Sequence, residues 1–117
     1  MNKEALLQRT KTFALRIMKL ADSLPHQPSG RALSNQLVRS GTSVAANYRA
    51  ACRARSKAEF VAKLQIVIEE ADESLFWLEM LIESGMVASA KIEPLRKEAD
   101  ELTAIMVASR KTASSGA

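Results

Sequence analysis

Residues 39–57 read RSGTSVAANYRAACRARSK. Five positive charges and no acid stand here among a glycine and a crowd of alanines and serines. At about 100° per residue, Leu33, Leu37, Gly41, Val44, Tyr48, Ala51 and Cys52 fall within one broad sector, so the segment reads as part of an amphipathic helix running from Ser29 or Gly30 to Arg55. Gly41 costs up to ~1 kcal/mol relative to alanine in a helix interior. The spacing Gly41-x-x-x-Ala45, continued by Ala51 and Cys52, offsets that cost by making a shallow face that another helix backbone can approach closely. A kink at Ser40-Gly41 is the alternative; the small residues beyond the glycine favour close packing.

Reading outward, the same period recurs on both sides. Leu6, Thr10, Phe13, Ile17, Leu20 and Leu24 alternate at spacings of four and three and predict a first helix from Asn2 to Ser23. Pro25, Pro28 and Gly30 then interrupt it. On the other side, Ser56-Lys57-Ala58-Glu59 has the spacing of a capping box and starts a third helix, which runs to Ser84 with Gly85 as its stop. Its apolar face is wide: beyond the core rows lie Ile66, Phe76, Trp77 and Met80, interleaved with acids. A helix apolar on so many sides is central or contacts another subunit; in a small bundle no helix is surrounded, so these four residues are the candidate oligomer interface. Ile92, Leu95, Ala99, Leu102 and Met106 predict a fourth helix from Ser89 to Arg110, with Pro94 in or near its first turn. Residues 111–117 read as a frayed tail outside the domain of residues 1–110. The expected architecture is an all-α, up-and-down four-helix bundle.

Composition agrees. The chain has 117 residues, is 47% hydrophobic and 26% charged, and carries only four glycines and three prolines, which fits one helix-rich globular domain. No run approaches the roughly 18 apolar residues needed to span a bilayer, and the N-terminus lacks a secretory signal. Cys52 is the only cysteine. The expectation is a soluble, cytoplasmic protein.

The catalytic inventory is thin. His26, the single histidine, sits in the Pro-bounded loop with no identifiable partner and reads as an exposed loop residue. Cys52 falls on the buried sector of the second helix and reads as structural. The Glu69-Glu70-x-Asp72-Glu73 cluster has no histidine on any predicted helix to complete a di-iron set, and several of its acids turn away from the apolar face. No phosphate-cradling loop is present. No catalytic residue, metal or cofactor is expected, and the protein is expected not to be an enzyme.

Charge segregation is the strongest signal apart from the fold. From Ser23 to Ala58 there are six basic residues and no acid; from Glu59 to Glu83 there are seven acids and only Lys63. On a helical wheel Arg31, Arg49 and Arg53 cluster, with Arg39 and Lys57 further round. Arg39, Arg49, Arg53, Arg55 and Lys57 are the candidate phosphate-binding residues, because arginine donors in a row suit a polyanion backbone. The competing reading is that these cations pair with the acidic third helix, within a subunit or across an interface. No aromatic residues interleave with them, which argues against base stacking. Asn47, Ser40 and Ser43 read as capping or helix-bridging residues.

The segment RSGTSVAAN, followed by Ser56-x-x-Glu59-Phe60 and the Glu-Ala-Asp-Glu-Ser run at residues 70–74, resembles the four-helix-bundle family named after reading frames in the intervening sequences of bacterial 23S rRNA genes, also called the S23 ribosomal protein family. The similarity spans residues 13–106. It implies an up-and-down bundle assembled into a ring-shaped homo-oligomer, a pentamer in known relatives, with no established enzymatic activity. A related accessory protein of diversity-generating retroelements binds nucleic acid and a reverse transcriptase through basic surface. Many relatives carry an acid where this chain has Ala50-Ala51, so the second helix here is more uniformly basic. The resulting expectation is a homo-oligomeric, non-catalytic accessory protein that binds RNA or DNA backbone; the alternative is a protein–protein scaffold without nucleic-acid affinity.

Overall fold

The computed structural model describes residues 1–116. Four helices make up the fold: α1 (Lys3–Asp22), α2 (Pro28–Cys52), α3 (Lys57–Glu83) and α4 (Ser89–Ser114). No strand occurs among the described residues. Each helix packs against its neighbours in the chain, and α4 returns to touch α1 along a thinner seam. α1 and α3 therefore occupy one diagonal of the bundle and α2 and α4 the other. The result is an all-α four-helix bundle measuring 47 × 21 × 19 Å.

Local chemistry sets most helix ends. The Asn2 side chain accepts from the Ala5 N–H at 2.8 Å and starts α1. Ser56 accepts from the Glu59 N–H at 3.1 Å and starts α3; the reciprocal bond from the Glu59 carboxylate does not form, so half of the expected capping box is made. Pro28 occupies the first position of α2, where its missing N–H costs nothing. Gly85, at φ +75°, ends α3 in the left-handed conformation that glycine tolerates best.

Two helix ends and the place of Pro94 differ from expectation. α2 stops at Cys52 rather than Arg55, because the chain turns through residues 53–56 to place the Ser56 cap. α4 continues past Arg110 to Ser114, so residues 111–114 of the expected frayed tail are helical; Ala117 lies outside the described residues. Pro94 sits at the sixth position of α4, beyond the free first-turn N–H groups. It removes one intrahelical bond, at a place where the Ala90 carbonyl it would have met belongs to an exposed residue.

The core runs the length of the bundle. Phe13 and Ile17 from α1, Leu37 and Val44 from α2, Leu64, Leu78 and Leu81 from α3, and Ile92, Leu102 and Met106 from α4 are fully buried. Two glycines allow close approach. A Cβ at Gly41 would lie 2.8 Å from Ile17 Cγ2, so α1 rides directly on the small-residue face of α2, as the sequence pattern implies. A Cβ at Gly30 would lie 2.0 Å from the Pro25 carbonyl oxygen, so the α1–α2 loop folds back onto the first turn of α2. Polar pins fix the register of the helices. The buried Ser40 and Ser74 hydroxyls bond each other at 2.9 Å across α2 and α3, and Ser74 also donates to the Glu70 carbonyl. Ser34 donates to the Ala21 carbonyl at the end of α1.

Candidate nucleic-acid interface

The basic stripe expected along α2 separates into three environments. Arg39 faces α3, where its guanidinium donates to Glu70 at 3.0 Å and also pairs with Glu73. At this position the cation pairs with the acidic third helix inside the same chain. Arg55 lies exposed in the α2–α3 turn. Lys57, at the start of α3, borders a shallow recess formed with Phe60 of α3 and Ile105, Ser109 and Thr112 of α4. It looks onto a different face from Arg49 and Arg53.

Arg49 and Arg53 look instead into a groove of about 690 Å³ between the first half of α1 and the last half of α2. Arg49 is exposed on the last turn of α2 and Arg53 caps its C-terminal end, and α1 contributes Lys3 and Lys11 to the same groove. None of the four takes part in an ion pair among the described residues. Glu4 is the one acid in the lining. The floor is small and apolar, with Leu7 and Ala14 from α1 and Ala45 and Ala46 from α2, while Gln8 and Thr42 add polar contacts. The short side chains that let α1 approach α2 at Gly41 thus leave a furrow on the surface, and long cations fringe it. Lys3 and Lys11 are invisible to a helical wheel drawn for α2 alone; only the α1–α2 pairing brings them to Arg49 and Arg53.

Cys52 lines this groove and is half-buried rather than enclosed in the core. Next to it, Tyr48 is 5% exposed. Burial, and then the neighbouring Cys52 thiol, raise the Tyr48 pKa, so the phenol stays neutral. His26 is exposed in the α1–α2 loop. No group of three or more His, Cys, Asp or Glu residues suited to a metal ion occurs among the described residues. No described helix is long and apolar enough to cross a membrane.

A second surface lies on α3. Phe76 is 50% exposed, and Met80 and Ile66 are also open to solvent. Trp77 is half-buried beneath Phe76, with ring centroids 5.0 Å apart in an edge-to-face arrangement. Its indole Nε1 is buried without a hydrogen-bond partner. Sequence reading missed the counterpart on α1, where Leu15 and Met18 are exposed as well. Both positions fall between the rows that form the α1 core stripe, so the stripe gives no reason to look for them.

Fold and surface together define an all-α up-and-down bundle with a basic furrow along α1 and α2 and an apolar, acid-flanked face on α3. Residues 2–108 match the profile of the 23S rRNA-intervening sequence protein family, and the chain belongs to that family. Among solved structures it is similar to a protein of unknown function from the S23 ribosomal protein family of Bacteroides thetaiotaomicron. The two share 32% sequence identity and a TM-score of 0.88, over 95% of this chain and 99% of the other. Comparison with curated proteins finds no match.

Proposed function

We propose that this protein is a non-catalytic, homo-oligomeric accessory protein that grips nucleic-acid backbone in the α1–α2 groove. One observation carries the reading: Lys3, Lys11, Arg49 and Arg53 converge on one groove from α1 and the end of α2, and none of them has an ion-pair partner among the described residues. Four cations against the single acid Glu4, with rigid helices spacing them, suit a row of phosphates. The shallow apolar floor suits a sugar-phosphate edge and offers no aromatic ring for stacking a base, so recognition is of backbone and shape. Oligomerisation is supported by the exposed Phe76, Met80 and Ile66, whose cover by another copy removes apolar surface from water. In such an assembly several grooves act together on one polyanion.

The test is a titration of the purified protein against a structured RNA and a duplex DNA at 50 and 200 mM salt. Four phosphate contacts predict an affinity loss of about a hundredfold between these concentrations. Arg49→Glu/Arg53→Glu, with unchanged oligomer mass, abolishes most of the low-salt binding. Absence of binding to either nucleic acid at low salt would overturn the reading and leave the protein–protein scaffold in its place.

A further inference from the structure

We propose that the apolar face of α3 docks onto the exposed face of α1 in a second copy of this chain, a head-to-tail contact. The proposal rests on the oligomeric reading above and names the surface that partners α3. Two observations point to it. First, the described surface carries two groups of exposed large apolar side chains within helices, Leu15 and Met18 on α1 and Ile66, Phe76 and Met80 on α3. α1 and α3 sit on a diagonal of the bundle and do not touch, so one copy cannot cover either group with the other.

Second, the two faces carry opposite charge. Between Ile66 and Met80, α3 has five acids and no base. Glu70 and Glu73 are taken up by Arg39, but Glu69 and Asp72 remain exposed without ion-pair partners. From Leu15 to Lys19, α1 has two cations and no acid, and Arg16 and Lys19 are exposed and without ion-pair partners among the described residues. Pairing α3 with α3 about a two-fold axis sets acid against acid. Pairing α3 with α1 sets acid against base around an apolar centre, the arrangement that both attracts and fixes register. A contact between two different faces leaves one of each unused at the ends of any dimer, so copies add until the assembly closes on itself.

The experiment compares four samples by size-exclusion chromatography with light scattering, after circular dichroism shows unchanged helicity. They are the unaltered chain, Leu15→Glu/Met18→Glu, Phe76→Arg/Met80→Arg, and an equimolar mixture of the two variants. The expected result is a multiple of the 12.8 kDa chain mass for the unaltered protein, and single chains for each variant alone. The mixture forms a species heavier than either variant, because each supplies the face that the other lacks. Zero-length carbodiimide cross-linking of the unaltered protein, read by mass spectrometry, joins Lys19 to Glu69 or Asp72 between copies. An unaltered chain that is monomeric would overturn the oligomeric reading itself. An assembled chain whose mass survives Leu15→Glu/Met18→Glu, or a mixture that stays monomeric with no such cross-links, would overturn only the α1–α3 pairing.

Discussion

Gly41 shows how one residue sets the spacing of two helices. Its hypothetical Cβ would lie 2.8 Å from Ile17 Cγ2 and 3.0 Å from both Ile17 Cβ and Cγ1. Ile17 is fully buried and β-branched, so it has little freedom to move aside. Gly41→Ala adds helix propensity worth ~1 kcal/mol, but overpacking costs about 1–3 kcal/mol. The overpacking wins because the clash falls on the stiff base of the isoleucine side chain rather than on its flexible end. Gly41→Ala should therefore lower stability by up to about 2 kcal/mol, read from the denaturant midpoint at unchanged slope. A gain in stability would mean that α1 does not lie this close to α2. The spacing also underlies the groove, because Ala14, Ala45 and Ala46 form a floor only while the two helices stay close.

Among the elements, α1 and α4 share the thinnest contact, and a polar clamp holds it. Arg9 of α1 donates two hydrogen bonds of 2.7 Å to the two carboxylate oxygens of Glu98 on α4 and reaches Glu101 at 3.3 Å. The pair is part-buried, and the bond to Glu98 is the largest cause of the raised Arg9 pKa. Arg9→Met keeps the aliphatic stem and removes the fork, and should cost about 1 kcal/mol. Hydrogen exchange should rise first in α1, since the α1–α4 seam has little apolar packing to replace the clamp. Unchanged exchange along α1 would show that packing on α2 alone holds the helix.

Elements of this kind were legible in sequence wherever local chemistry decides them. Asn2, Ser56 and Gly85 announce their helix ends through hydrogen bonds and backbone freedom belonging to a few adjacent residues. The ends of α2 and α4 carry no such mark: Arg53, Ala54 and Arg55, like Lys111 to Ser114, include no glycine or proline, and the surrounding structure decides between helix and turn. The candidate site was legible by half for the same reason. Arg49 and Arg53 stand four residues apart at the end of α2, a spacing that a wheel displays. Lys3 and Lys11 reach them only through the packing of α1 on α2, and the pairing of Arg39 with Glu70 and Glu73 depends on the register of α2 against α3.

At the scale of the whole molecule, a net charge of +4 attracts any polyanion weakly, whatever the arrangement of the charges. The groove reading requires more: position must matter at fixed net charge. The bundle is 47 Å long, several times the Debye length of about 10 Å at 0.1 M salt, so charges at its two ends act independently. Lys3 and Lys11 lie in the groove, toward the end of the bundle where α1 begins and α2 finishes. Arg31 near the start of α2 and Lys91 near the start of α4 are exposed toward the opposite end. Each cation-to-glutamate change subtracts two charges, so Lys3→Glu/Lys11→Glu and Arg31→Glu/Lys91→Glu both take the net charge from +4 to zero. Glutamate at position 3 stands at the start of α1, where an acid suits the helix dipole, so loss of binding there does not follow from loss of folding. The groove pair should lower nucleic-acid affinity at least tenfold at low salt and reduce the magnitude of the log–log salt slope by about two. The Arg31/Lys91 pair should leave the slope unchanged and the affinity within about twofold, since its charges lie at the far end of the bundle from the groove. Equal losses from both pairs would mean that the protein presents only a diffuse positive charge, and that the convergence of α1 and α2 on one furrow is a consequence of packing alone.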